Sequence, residues 1–167
     1  MTFYERLHQD LKEAQLKKEE LKVSVLRLAI ASLSNKEIEK RTRLSKSSPL
    51  EKLEELSKLT EEEAIETINS EAKKRKESII SFRQGQREEL AEKEEKELII
   101  LEGYLPKPIS EEELKSIVKE TISKTMANSL TDLGKVMSQL MPEIKKRGRA
   151  DGNLVNKIVK ELLTSKK

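Results

Sequence analysis

Leu105-Pro106-Lys107-Pro108-Ile109-Ser110-Glu111-Glu112-Glu113-Leu114 decides how this 167-residue chain is organised. Proline disfavours helical geometry in the residue before it, so a helix arriving from upstream stops at Leu105. Ser110 followed by Glu113 has the spacing of a capping box, so a new helix starts at once. Helical periodicity runs on both sides. Upstream, Glu88 to Leu105 carries Leu90, Glu94, Leu98 and Leu101; downstream, Leu114, Ile117, Val118, Thr121 and Ile122 share one face. The segment therefore separates an N-terminal helical domain, residues 1–105, from a C-terminal domain, residues 109–167.

Two further apolar faces complete the C-terminal domain: Leu133, Val136, Met137, Leu140 and Met141, then Val155, Ile158, Val159, Leu162 and Leu163. Three short helices sharing one core are expected, at a size near the lower limit for independent stability. In the N-terminal domain, Phe3, Leu7 and Leu11, then Leu21, Val25, Leu28 and Ser32 beside Leu26, Ile30 and Leu33, predict two helices in a hairpin. Arg41 to Thr60 reads as a loop with a marginal helix. Thr60 and Glu63 have capping-box spacing, and Ile65, Ile68, Ala72, Arg75, Ile79 and Phe82 then follow a seven-residue repeat, so a long helix with a narrow seam is expected. Gly85 interrupts that pattern before Glu88 resumes it. The fold class is all-α: a long-helix hairpin domain followed by a small three-helix domain.

Composition supports this reading. Charged residues make up 39% of the chain and hydrophobic ones 35%, with two Phe, two Tyr and no Trp, so the core must be thin and aliphatic. With no cysteine, disulfides, thiolate nucleophiles and zinc-thiolate sites are excluded, and a reducing compartment suits the chain. No apolar run is long enough to cross a bilayer and the first residues hold no signal core, so a cytoplasmic location without a membrane partner is expected. The net charge of +3 is asymmetric. Residues 105–167 hold 13 bases against 8 acids, a net of +5, while residues 1–104 hold 21 against 23. A polyanion partner for the C-terminal domain is one consequence of such an excess; solvated lysines are the other reading.

Residues that carry catalysis are scarce. His8 is the only histidine and has neither a cysteine nor a glycine-rich nucleophile turn to work with, so it reads as a surface helix residue. Glu88 to Glu97, with Lys93 and Lys96, reads as a solvated face, and Lys73, Lys74, Arg75 and Lys76 point around a helix toward solvent. No metal-ligand cluster and no phosphate-binding glycine fingerprint stands out, so neither metal nor cofactor is expected.

The informative stretch is Lys145-Lys146-Arg147-Gly148-Arg149-Ala150-Asp151-Gly152. In one reading Pro142 ends the preceding helix, Gly148 supplies a left-handed turn residue and Asp151 caps the last helix. In the other, four bases flank a helix N-terminus whose free N–H groups favour phosphate. Phe3, Tyr4, Phe82 and Tyr104 are too dispersed to stack on single-stranded bases, so RNA would be bound by shape and phosphate.

Several segments together resemble the YqeY-like family, also described as GatB/YqeY domain proteins. They are Ser24-Val25-Leu26-Arg27-Leu28, Lys36-Glu37-Ile38-Glu39, Glu71 to Phe82, Gln86-Arg87, Tyr104-Leu105-Pro106, Leu133-Gly134-Lys135-Val136-Met137 and Gly148-Arg149-Ala150-Asp151-Gly152. The resemblance implies a C-terminal domain similar to the tail of the B subunit of glutamine-dependent aspartyl/glutamyl-tRNA amidotransferase, a tail that helps bind tRNA. It also implies the family label of a carbon–nitrogen ligase with glutamine as amido-N-donor. The B subunit's catalytic cradle has no counterpart here, so no catalytic centre is expected. Gly134, Lys135, Gly148, Arg149, Asp151 and Gly152 match the tail and are implied as tRNA contacts or the turns that present them. Glu143 to Arg147 departs from the pattern, being longer and more basic, as an enlarged loop or a surface insertion. Ser45 to Leu59 is added length.

The leading expectation is thus a tRNA-binding protein that uses Lys135, Lys145, Lys146, Arg147 and Arg149 for contact, with Gly134, Gly148, Asp151 and Gly152 building the turns. One alternative is a protein-interaction adaptor whose Ile65 to Phe82 stripe completes itself against a partner helix. The other is an amidotransferase or its accessory.

Overall fold

Thr2 opens the first helix with a capping box: its hydroxyl accepts from the Glu5 N–H at 3.2 Å, and the Glu5 carboxylate accepts from the Thr2 N–H at 2.9 Å. The computed structural model describes residues 1–164, leaving the last three positions of the C-terminal domain outside the described residues. From that start follow α1 (Phe3–Leu16), α2 (Glu20–Leu44), α3 (Leu53–Ser57), α4 (Glu61–Gln84), α5 (Glu88–Glu102), α6 (Glu111–Thr125), α7 (Leu133–Arg147) and α8 (Gly152–Thr164). Among the described residues the only strand-like pairing is one isolated bridge, so the fold is all-α. The chain divides into two compact units, Met1–Leu105 and Pro106–Lys167.

The first unit packs α1, α2, α4 and α5 around Leu7, Val25, Leu26, Leu33, Ile68, Ile79, Leu98 and Leu101. Alanines at 29, 64, 72 and 91 are buried among them and let the helices approach closely. This corrects the sequence seam at two points. Ala29 and Ala91 face the core, whereas Leu28 is 55% exposed and Leu90 42% exposed. It also fills the Ile65 to Phe82 stripe from within: Ala64, Ile68, Ala72 and Ile79 belong to the same core as α2 and α5, so the stripe is not a vacant seam.

Charged residues enter this core as well. Arg75 of α4 reaches Glu94 at 2.8 Å and also pairs with Glu97, which is buried. The Glu88 to Glu97 face is therefore not uniformly solvated. Lys74 pairs with Glu71 and Lys76 with Glu102, both at 2.8 Å. The added stretch after α2 is likewise ordered by α2 itself. Lys40 Nζ donates to the Lys58 carbonyl and to Glu63, while the Glu37 carboxylate accepts from the Leu59 N–H. The Lys40 ammonium and the Thr60 N–H hold the Glu63 carboxyl below its ordinary range. Leu53 of α3 is buried, which anchors the excursion.

At the end of α5, Tyr104 donates its hydroxyl to Asp10 Oδ2 at 2.5 Å. Arg6 lies over the ring at 4.9 Å and donates to the Gly103 carbonyl at 2.9 Å. Burial, then the bond to Asp10, pushes the Tyr104 hydroxyl well above its ordinary value.

Helices α1, α4 and α6 end in the same backbone motif. Lys18, Gln86 and Met126 take left-handed φ values of 57, 56 and 51°. The next N–H in each case bonds back to the last turn: Glu19 to Ala14 and Arg87 to Phe82 at 2.9 Å, Ala127 to Ile122 at 3.2 Å. Gly85 marks the break between α4 and α5 as expected, but it stays at a negative φ of −81° and the left-handed residue is Gln86. A left-handed L-residue costs about 1–2 kcal/mol, more than the ~0.4–1 kcal/mol of chain entropy a glycine adds to the unfolded state. Gln86→Gly is therefore expected to raise stability by roughly 0.5–1 kcal/mol, read as a higher urea midpoint at unchanged slope. Gln86→Val should lower it.

In the second unit, Leu114, Ile117, Val118, Thr121 and Ile122 of α6 are all buried, as their spacing predicts. Ser110 supplies the forward half of the expected capping box, accepting from the Glu113 N–H at 3.2 Å. Val136, Leu140 and Ile144 of α7 and Val155, Ile158, Val159 and Leu163 of α8 complete the core, with Leu133, Met137, Met141 and Leu162 packed at its edge.

Candidate nucleic-acid interface

Pro142 does not end α7; the helix continues through it to Arg147. An interior proline costs about 3 kcal/mol, and full burial of an isoleucine contributes roughly 1.5–3 kcal/mol. Leu140 and Ile144, on either side of the proline, are both buried while Pro142 faces out. Keeping the helix intact places Ile144 in the core, and that offsets most of the proline's penalty. The consequence for the site is direct. Lys145, Lys146 and Arg147 are the last turn of a helix, about 100° apart, and not an enlarged loop. All three are exposed, and their charges complement the negative end of the helix dipole.

Gly148 is not a left-handed residue either. Its φ of 164° and ψ of −147° are extended. A Cβ there would lie 2.5 Å from the Lys107 carbonyl oxygen and 3.0 Å from Ile109 Cγ1, so glycine is required by close approach of another backbone. That backbone is the Pro106–Ile109 stretch. Arg149 N–H donates to the Lys107 carbonyl at 3.1 Å, and Ile109 N–H donates to the Arg149 carbonyl at 2.9 Å, forming a parallel bridge between Pro108 and Arg149.

The cations divide by what they touch. Arg149 Nε donates to the Pro106 carbonyl at 3.1 Å, so this guanidinium stitches the turn to the start of the unit. Lys135 Nζ donates to the Thr125 carbonyl at 3.0 Å and closes the C-terminal end of α6. Lys146 pairs with Glu143 at 3.2 Å, in an exposed contact. Among the described residues, Lys145 and Arg147 make no ion pair. The structure thus places Lys145, Lys146 and Arg147 outward together and turns Lys135 and Arg149 toward backbone carbonyls.

Asp151 caps α8 as its sequence position suggests: one carboxylate oxygen accepts from the Asn153 N–H at 2.7 Å and the Leu154 N–H at 3.2 Å. Asp132 closes the capping box of the short 3-10 turn Leu130–Asp132 that leads into α7, its carboxylate accepting from the Ser129 N–H, and Ser129-Leu130-Thr131-Asp132 has that spacing. The Asn128 and Ser129 N–H groups bonded to the Asp132 carboxyl hold it below the ordinary aspartate range. Gly134 and Gly152 sit in the first turns of α7 and α8, exposed, and a Cβ at either would meet nothing within 4 Å. Packing within the unit asks for glycine at neither position. Between Asp132 and Glu143, α7 carries no acid, and Gly134, Ser138, Gln139 and Pro142 surround the exposed Lys135 on its outer face ahead of the basic turn.

Elsewhere, His8 lies half-buried on α1 with its ring 4.6 Å from that of Tyr4. Among the described residues no group of His, Cys, Asp or Glu is arranged to hold a metal ion, and no helix is long and apolar enough to cross a membrane.

The model of the Yqey-like protein family matches residues 4–163, from the first turn of α1 to the end of α8. The chain belongs to the YqeY-like family. Among its relatives are two proteins named Altered inheritance of mitochondria protein 41, mitochondrial. The one from Pyrenophora tritici-repentis is 34% identical over 103 residues, covering 59% of this chain and 55% of the relative. The one from Kluyveromyces lactis is 30% identical over 127 residues, covering 76% of this chain and 58% of the relative. This YqeY-like chain thus matches little more than half the length of either fungal protein.

Proposed function

We propose that the C-terminal unit of this YqeY-like protein docks on the phosphate backbone of a structured RNA, with tRNA as the expected partner. The observation that carries the reading is the last turn of α7, where three consecutive exposed cations hold a single carboxylate partner. Three acids of the unit are engaged elsewhere: Asp151 caps α8, Asp132 accepts from the Asn128 and Ser129 N–H groups, and Glu111 pairs with Lys115 at 2.6 Å. Two features add to it. The bare backbone at Gly134 and Gly152 permits close approach of a ligand, and the net of +5 over residues 105–167 provides long-range attraction. Base stacking has no platform here, so the reading is one of shape and charge.

Arg149 is excluded from the contact set on this reading, because its Nε bond to Pro106 makes it part of the turn. The test compares the full chain with the Lys145→Ala, Lys146→Ala, Arg147→Ala triple variant for tRNA affinity at low and moderate salt. Each phosphate contact contributes about 0.9 to the slope of log affinity against log salt. The triple variant is expected to lose roughly 2–3 of that slope and at least about tenfold in affinity. Equal affinities and equal slopes would remove the last turn of α7 from the site. The cysteine-free composition favours the cytoplasm as its location, while both fungal relatives carry a mitochondrial designation in their names.

A further inference from the structure

A second surface lies on the first unit, at the corner where α1 turns into α2. An open groove of about 580 Å³ is lined there by Lys18, Glu20, Val23, Ser24, Arg27 and Leu28, among others. Helix α2 buries Val25, Leu26 and Ala29, which leaves Ser24, Arg27 and Leu28 on its outward side. Leu28 is a large apolar side chain more than half exposed, beside a small serine that lets another chain come close.

Two cations and one carboxylate line this apolar floor, a positive balance. From Leu21 to Lys36 the helix has no acid, although the chain holds 31. Some cations of the unit, such as Lys40, Lys74, Arg75 and Lys76, are matched to a glutamate, and others are not. Lys18 and Arg27 make no ion pair among the described residues. Glu20 is the only acid lining the groove, and Lys22 pairs with Glu19, outside it, at 3.9 Å. Lys18 occupies the left-handed position that ends α1, where glycine would be less strained, so its ammonium is carried at the groove rim against a backbone preference.

We propose that this groove docks an acidic segment of a partner protein, seating a bulky apolar side chain on Val23 and Leu28 with carboxylates against Lys18 and Arg27. Charge complementarity selects an acidic partner. The apolar floor selects a peptide over a nucleic acid, since phosphates satisfy the two cations but leave Leu28 in water.

The test uses the full chain and a short labelled helical peptide of leucine and glutamate, beside twins in which every glutamate is glutamine or lysine. Saturable binding of the glutamate peptide is expected, with amide shifts at Val23, Ser24 and Leu28. Lys18→Glu with Arg27→Glu should weaken it at least about tenfold and transfer preference to the lysine peptide. Leu28→Ser should weaken it about threefold or more. The Lys145, Lys146, Arg147 triple variant should bind the peptide like the parent, which keeps this result separate from the RNA reading. Absence of saturable binding, indifference to charge reversal, or tRNA shifting the same three amides in the peptide's place would overturn the proposal.

Discussion

Arg75→Ala is expected to destabilise the first unit by roughly 2–4 kcal/mol, discounted from the ~3–5 kcal/mol typical of breaking a buried pair because the partners keep some solvent. The guanidinium retains 14% of its side-chain exposure, Glu94 25% and Glu97 9%. Removing the arginine leaves two carboxylates facing a core that includes Ala72, Ile79 and Leu98, with nothing to compensate them. A companion variant separates the broken pair from lost packing. Arg75→Met with Glu94→Gln and Glu97→Gln removes all three charges together, and it should recover most of the stability. Hydrogen exchange at Ala72 and Ile79 reads the first unit directly. If Arg75→Ala exchanged like the parent at those amides, the triad would be an incidental surface contact.

The second large effect belongs to Gly148. Gly148→Ala places a Cβ 2.5 Å from the Lys107 carbonyl oxygen, and both backbones are held by the bridge they form. Relief requires separating them, at the cost of the bonds Arg149 to Lys107, Ile109 to Arg149 and Arg149 Nε to Pro106. At about 0.5–1.5 kcal/mol for each bond, the expected loss is roughly 2–3 kcal/mol. Exchange at the Ile109 and Arg149 amides should then accelerate about 30- to 150-fold. Gly134→Ala and Gly152→Ala are the controls. Their Cβ atoms enter open space, and alanine is the better helix former by about 1 kcal/mol. Both should fold as well as the parent or better, so weakened RNA binding by either would trace to the ligand and not to the fold.

The candidate site was legible in the sequence only in part. Lys145, Lys146 and Arg147 stand out as a dense basic run, and the structure keeps them outward. Lys135 and Arg149 read equally well as contacts, yet each is turned onto a carbonyl. Neither bond has a local signature, because the acceptors lie 10 and 43 positions away along the chain. A glycine-rich turn suggests conformational freedom, whereas Gly148 answers to the steric demand of a neighbouring segment. Pro142 suggests a stop, which is the usual effect of a proline when nothing beyond it needs the core; here Ile144 does.

Spacing and caps by themselves determined that the chain is helical, where α4 and α6 begin, the break at Gly85 and the apolar faces of α6, α7 and α8. Those signals act within one or two helical turns: a threonine hydroxyl and an N–H three residues on, or side chains at three- and four-residue intervals. The tertiary structure alone decided which alanines replace leucines in the first unit's seam, that Glu97 is buried against Arg75, and that the basic stretch is a helix end. Each of those outcomes depends on how closely two segments distant in sequence approach. A long cationic side chain goes where the nearest carbonyl or carboxylate is, and local pattern does not encode that.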